Sequence, residues 1–255
     1  MEKNLKHSGT RSTKVCQREI DHAVFAREAA EEGIVLLKNE GLLPLKKDTK
    51  IALLGIGAEK TIKGGTGSGD VNNRESVSIY AGMKEKNAGI VNEEWLKDYH
   101  NRYEQARTEW KEQILEAAKH VDNPFDAYAA NPFAMPDGRA VTNEDIKAAE
   151  AAVYVISRIS GEGKDRRKRK GDYYLSDQEE KDLYFLNEQK IPTVLIINAG
   201  GPVELTDLLA GTENICAILN ISQLGQEGGN AVADILFGEF TPSGKLTTTW
   251  TKRYD

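Results

Sequence analysis

The amino-acid sequence predicts a three-layer α/β/α sandwich whose mostly parallel sheet has about five or six strands. Four short runs are apolar along their whole length, at residues 51–55, 152–156, 193–197 and 215–219. Strands of this kind are typical of parallel sheets that are buried on both faces. Helical patterns separate the runs, and an alternation of strand and helix indicates a sheet with helices packed on each side.

The first predicted helix begins at Asp21. Its inward face consists of apolar residues at helical spacing, namely Ala23, Ala26, Ala30, Ile34 and Leu37. We expect it to end near Glu40, because Pro44 blocks continuation. Residues 1–22 are accordingly predicted to form an N-terminal arm, and residues 23–255 the sandwich domain.

A helical and loop insertion is predicted around residues 92–140, between the first two apolar runs. A long helix over residues 95–120 has a seam of apolar side chains close to heptad spacing. Residues 123–138 carry three prolines and are predicted to be a long ordered loop.

The second half of the chain has clearer helix boundaries. Asp145 follows Thr142 by three residues, and Glu179 follows Ser176 by three, a spacing typical of helix starts. Further helices are predicted at 204–209 and 226–237, and a candidate edge strand at 246–250.

Composition excludes several classes of function. The net charge of −6 argues against a nucleic-acid partner, and no apolar run reaches membrane-spanning length. Cys16 and Cys216 lack metal-ligand spacing, as do the four histidines, so we expect no metal and no cofactor. The polar N-terminus has no signal-like apolar core, which favours a cytoplasmic location.

One carboxylate, Glu162, stands between two glycines just after the second apolar run. A glycine-flanked turn can hold an acidic side chain where a substrate reaches it, which is the arrangement that proton donation to a leaving oxygen needs. Taken alone, the segment fits an ordinary surface loop better. Because a cation lowers the pKa of a neighbouring carboxyl group, Arg166 is expected to pair elsewhere, with Asp165 or across to another domain.

The basic run at residues 164–170 has two interpretations, a solvated loop or a nucleic-acid contact. It stands alone in an acidic chain and has no interleaved aromatic residues, so a solvated loop is favoured.

A second glycine-rich loop covers residues 64–70. It does not lie directly between a strand and a helix, so a dinucleotide site is disfavoured. It is either a flexible loop or one whose backbone lets a ligand approach, in which case Ser68 would donate a hydrogen bond to a sugar hydroxyl. Since both loops follow the carboxyl ends of parallel strands, we expect them to converge on one rim of the sheet.

Several motifs occur in a characteristic order, at residues 30–45, 67–71, 160–166, 225–229 and 234–246. Through them, residues from about 26 to 255 resemble the α/β sandwich domain, usually C-terminal, of glycoside hydrolase family 3, and in particular its β-glucosidases.

The resemblance implies a role for each loop. Glu162 corresponds to the general acid/base of a retaining enzyme. Ser68, with Gly67 and Gly69, corresponds to the loop that lines the glucose subsite. Supporting positions are Asp70, Asp165 and Arg166.

The resemblance also implies a β-linked glucoside or oligosaccharide as substrate and no cofactor. The family's nucleophilic aspartate belongs to a (β/α)8 barrel, which this sequence lacks. The barrel is therefore expected after Asp255, in reversed domain order, unless the chain is a single domain expressed on its own, and the isolated chain is expected to be inactive. Two alternatives remain, a non-catalytic carbohydrate-binding or structural module and a nucleotide-binding α/β domain.

Overall fold

The structure is a computed structural model that describes residues 13–161 and 166–251, with only the backbone of Ser68. Six strands form one sheet in the order β1-β6-β5-β4-β2-β3. They are β1 (Val35–Asn39), β2 (Lys50–Leu54), β3 (Gly89–Ile90), β4 (Ala151–Arg158), β5 (Thr193–Ala199) and β6 (Ile215–Asn220). Every described pair of strands is parallel except β1 with β6, which confirms the predicted mostly parallel sheet.

Helices cover both faces of the sheet. All residues of β4 and β5 are buried, and successive side chains of a strand point to opposite faces. Arg158 of β4 points to one face, where it pairs with Glu179 at 2.6 Å. Ser157 points to the other face, where a Cβ added at Gly57 would lie 2.0 Å from its Oγ. The three-layer prediction is therefore confirmed.

The helices alternate with the strands along the chain. They are α1 (Gln17–Gly33), α2 (Ile56–Glu59), α3 (Ile79–Glu85), α4 (Glu93–Ala117), α5 (Pro124–Ala130), α6 (Asn143–Ile146), α7 (Asp177–Glu188), α8 (Thr206–Gly211) and α9 (Gly228–Leu236). The two helix starts that spacing predicted are both present. The Thr142 N–H donates to Asp145 at 2.9 Å, and the Ser176 N–H donates to Glu179 at 2.8 Å.

The prediction for the first helix was wrong at both ends. Helix α1 begins at Gln17, four residues before Asp21, and it stops at Gly33. The next residues form β1, which pairs antiparallel with the exposed edge of β6. An apolar pattern over 34–37 suits a helix face and a strand equally, and the hydrogen bonds offered by β6 decide between them.

Two other predictions differ from the structure, and one strand was not predicted. The proline-rich segment 123–138 is not loop throughout, because Asn123 accepts a hydrogen bond from the Phe125 N–H and Pro124 opens α5. The two-residue strand β3 was not predicted. Residues 246–250 form no strand, and the nearby Gly244 N–H bonds to the Ile34 carbonyl instead.

The long helix of the predicted insertion is confirmed as α4, which follows β3. The side chain of Asn92 exchanges two hydrogen bonds with the backbone of Leu53, at 2.9 and 2.8 Å, and so seats the start of α4 beside β2. About three turns later on α4, Glu104 pairs with Lys60 at 2.9 Å. Helix α4 therefore runs towards the edge of the sheet from which the glycine-rich loop leaves.

Candidate functional site

The two glycine-containing loops meet at the carboxyl edge of the sheet, as predicted. The Thr66 N–H donates to the Ser160 carbonyl at 3.0 Å, and Thr66 forms a parallel bridge with Gly161. Two segments that are about 95 residues apart in sequence thus lie side by side.

Glycine is required for this close approach. A Cβ added at Gly161 would lie 2.1 Å from Thr66 Oγ1, and one added at Gly65 would lie 3.3 Å from the Ser160 carbonyl oxygen. The lack of a side chain at each position lets the two backbones touch. The glycines of this rim therefore serve packing between loops as well as turning of the chain.

The predicted sugar-binding loop is a 3-10 turn over Gly67–Gly69. Gly67 has φ +73°, a left-handed conformation that glycine adopts without strain, and an added Cβ there would meet nothing within 4 Å. The described backbone of this turn thus leaves open space at Gly67. The Ser68 side chain lies outside the described atoms.

Lys63 holds the remainder of this loop. Its Nζ donates to the Val71 carbonyl and to Asn73 Oδ1, each at 2.5 Å, and lies 3.7 Å from a carboxylate oxygen of Asp70. The Asp70 side chain remains 65% exposed. Asp70 is therefore part of the loop's own ionic contacts and is open to solvent on the rim.

Glu162 and Asp165 lie outside the described residues, whereas Gly161 and Arg166 on either side are described. Arg166 donates to Asp172 through Nε and to the Gly201 carbonyl through Nη1, at 2.5 and 3.2 Å. Asp172 is thus one partner of Arg166, and it is not among those expected from the sequence. Gly161 and Arg166, the described residues on either side of 162–165, contact Thr66 and Asp172 respectively.

A buried ion pair contacts the loop that contains Asp172. Arg158 pairs with Glu179 and also donates to the backbone carbonyl of Asp172 at 2.8 Å. The last residue of β4 is thereby linked to the loop that holds Arg166. An arginine at the end of an apolar strand was a visible signal that the sequence analysis did not use.

A row of aromatic side chains flanks the glycine-rich loop. Lys60 lies over the ring of Tyr103 at 4.7 Å, and ring centroids 5.4–5.9 Å apart continue the row through Phe133, Trp110 and Tyr128. Burial raises the pKa of Tyr103, and the charge of Asp70 contributes in the same direction. The α4–α5 insertion thus forms a wall next to the candidate site.

Two other features are absent from the described part of the chain. Across residues 13–161 and 166–251, no group of three or more His, Cys, Asp or Glu side chains is arranged to hold a metal ion. In the same ranges, no helix combines the length and the apolar character that crossing a membrane requires.

Comparison with known proteins identifies relatives of the whole domain. Residues 34–255 match the model of the glycosyl hydrolase family 3 C-terminal domain. β-Glucosidase A of Butyrivibrio fibrisolvens is 31% identical over 92% of this chain, and the periplasmic β-glucosidase of Salmonella typhimurium is 33% identical over 88%.

Solved structures that are similar to this chain also include a β-glucosidase. β-Glucosidase 3B of Thermotoga neapolitana in complex with glycerol superposes with a TM-score of 0.73, at 38% identity over 95% of this chain. The same enzyme in complex with α-D-glucose gives 0.72. The chain spans 28–29% of the length of the two curated relatives and 32% of the Thermotoga chain. It therefore corresponds to one part of each of these longer relatives.

Proposed function

This chain belongs to the glycosyl hydrolase family 3 C-terminal domain family, and we propose that it forms part of a retaining β-glucosidase to which it supplies the general acid/base, Glu162, and part of the sugar subsite. Its substrate would be a β-linked glucoside or oligosaccharide. The nucleophile would come from a (β/α)8 barrel domain, since the chain spans less than a third of its relatives.

The single observation that carries the proposal is the hydrogen bond between Thr66 and Ser160, at 3.0 Å. Thr66 precedes Ser68 by two residues, and Ser160 precedes Glu162 by two. Two residues of chain span at most about 7 Å. This bond therefore limits how far apart Ser68 and Glu162 can lie along the rim, which supports the proposal that both contact one bound sugar ring.

The reaction takes two steps in this proposal. In the first, a carboxylate of the barrel attacks the anomeric carbon while Glu162 donates its proton to the glycosidic oxygen, and the aglycone leaves as an alcohol. In the second, the Glu162 carboxylate takes a proton from water as the water oxygen attacks the same carbon, and the bond between that carbon and the barrel carboxylate breaks. The sugar is released with its configuration retained, and Glu162 is protonated again.

The other rim residues would assist these steps. Ser68 would donate a hydrogen bond to a sugar hydroxyl, with Gly67 and Gly69 allowing the ring to approach the backbone. Asp70, Asp165 and Arg166 would support the two loops. Burial of Glu162 between two domains would raise its pKa and keep it protonated until it is needed.

The test uses a chimera in which this chain replaces the matching segment of the Thermotoga β-glucosidase. We expect the chimera to hydrolyse an aryl β-glucoside, Glu162→Gln to abolish most of this activity, and the 255-residue chain alone to show none. A folded chimera whose turnover is unchanged by Glu162→Gln would contradict the proposal. Glycan binding by the isolated chain that Glu162→Gln does not alter would favour a non-catalytic module instead.

A further inference from the structure

Asn198 is a buried amide near the end of β5, at the centre of the sheet. Its side chain has no exposed surface and uses its full hydrogen-bonding capacity. Oδ1 accepts from the Ile62 N–H at 2.7 Å and from Ser157 Oγ at 2.9 Å. Nδ2 donates to the carbonyls of Ile62 at 2.9 Å and Ser222 at 2.7 Å. One side chain therefore joins three separate segments.

Each of these segments begins a loop of the rim. Ile62 lies six residues before Ser68, and Ser157 lies five residues before Glu162. Ser222 opens a third loop, in which the Gly225 N–H donates to the Lys63 carbonyl at 2.9 Å. The hydrogen bonds of Asn198 thus lie where the glycine-rich loop, the Glu162 loop and the loop after β6 leave the sheet.

An amide at this position needs a physical reason. An apolar side chain would fill a buried strand position without the cost of removing a polar group from water, a cost that only hydrogen bonds offset. Ser222 also has φ +48°, an unfavourable conformation for a residue with a side chain, and its carbonyl accepts from Asn198. The Asn198 amide provides the partner that this turn and the Ile62 backbone both require.

We propose that Asn198 is a positioning residue that fixes the Ser68 loop and the Glu162 loop relative to each other. The effect of Asn198 on catalysis rests on the function proposed above, whereas its hydrogen-bonded link between the two loops does not. The link can be observed directly, because the Thr66 N–H bonds to the Ser160 carbonyl only while both loops keep their places.

Hydrogen exchange measured by mass spectrometry on the 255-residue chain tests the link. Asn198→Asp keeps the size and the acceptor oxygen but loses both donated bonds and sets a carboxylate against two carbonyls. Asn214→Asp is a matched control. Asn214 is also a buried amide, and it donates to the Ile191 carbonyl and Thr193 Oγ1 at 3.0 Å each, at the opposite edge of the sheet.

We expect Asn198→Asp to speed exchange in peptides covering 61–70 and 157–161 by about tenfold, because bonds at the base of both loops are lost. Asn214→Asp should speed exchange near 191–193 and leave the rim unchanged. A folded Asn198→Asp protein with normal exchange in both loops would overturn the proposal. If Asn198→Asp does not fold, Ser157→Ala removes the single bond from Ser157 to Asn198, and unchanged exchange at 157–161 in that variant would equally contradict the proposal.

Kinetics in the chimera described above test the catalytic consequence. Asn198→Asp should lower kcat/KM about tenfold for an alkyl glucoside, whose first step needs proton donation, and much less for an aryl glucoside with a good leaving group. Asn214→Asp should affect both substrates alike. Equal losses for both substrates in Asn198→Asp would overturn the positioning role. A chimera without any glucosidase activity would count against the proposed function, while the exchange result would still decide the link.

Discussion

Arg158 and Glu179 form a buried ion pair in which two guanidinium nitrogens donate to the two carboxylate oxygens at 2.7 and 2.6 Å. Their side chains are only 5% and 6% exposed. Glu179 belongs to α7, and Arg158 ends β4 next to the candidate site. The pair therefore joins a helix of one outer layer to the strand that leads into the Glu162 loop.

Breaking this pair from one side is expected to be costly. Arg158→Met leaves Glu179 buried without its cation and should lower the free energy of unfolding by about 3–5 kcal/mol. Urea denaturation provides the measurement. Lys170→Met is a suitable control, because Lys170 pairs with Asp177 and Glu180 at the surface, where solvent screens the charges, and its loss should lower the stability far less. Equal losses in the two variants would contradict this account.

A buried acidic cluster should make stability depend on pH. Burial, together with its hydrogen bond to Asp234, raises the pKa of Glu31 to about 7. Arg27 lies 3.7 Å from Glu31 but makes its two short bonds to Asp234, at 2.6 and 2.7 Å, and so does not reverse this shift.

The sign of the effect follows from the direction of the shift. An acid whose pKa is raised on folding stabilises the protein fully below its unfolded pKa, and this contribution is lost as pH rises through the folded pKa. The wild-type protein should therefore lose on the order of 1–3 kcal/mol between pH 4.5 and about 7 relative to Glu31→Gln, which cannot ionise. Denaturation of both proteins at pH 4.5 and pH 8 measures the difference, and parallel pH profiles would refute the assignment.

The backbones of α3 and α9 touch directly where glycines leave no side chain between them. A Cβ added at Gly229 would lie 2.0 Å from the Ser78 carbonyl oxygen, and one at Gly82 would lie 2.3 Å from the Gly229 carbonyl oxygen. Because backbone cannot rotate away as a side chain can, Gly229→Ala should destabilise the protein by about 1–3 kcal/mol. Gly69→Ala, where an added Cβ meets nothing within 4 Å, should change stability by less than about 0.5 kcal/mol. Thermal unfolding of the two variants compares them, and similar melting temperatures would argue against the close packing.

The sequence predicts those parts of the fold that depend on local pattern. The apolar runs of β4, β5 and β6 and the helix starts at Thr142 and Ser176 all appear as expected, because burial and capping leave signals within a few residues. The residues of β1 were predicted to be helical instead, because β1 forms by pairing with β6, a strand that lies about 180 residues later in the sequence. Local periodicity carries no information on such a contact.

The candidate site, too, is predicted from the sequence only where it depends on local pattern. The two glycine loops are visible in the sequence, and their convergence follows from the rule that parallel strands share one carboxyl edge. The residues that hold them are less visible. Asn198 and Arg158 each act through partners that folding brings from distant parts of the chain, Ile62 and Glu179 respectively. A polar residue at or near the end of an otherwise apolar strand is the signal that would have identified both.

The central claim, that Glu162 is the general acid/base, is tested most directly by azide rescue of Glu162→Ala in the chimera with the Thermotoga barrel. An aryl β-glucoside with a good leaving group needs no proton in the first step, so the variant should still form the glycosyl-enzyme and stall before hydrolysis. We predict that added azide restores turnover and yields a β-glucosyl azide. Turnover that azide leaves unchanged, with no glucosyl azide formed, would contradict the assignment of Glu162.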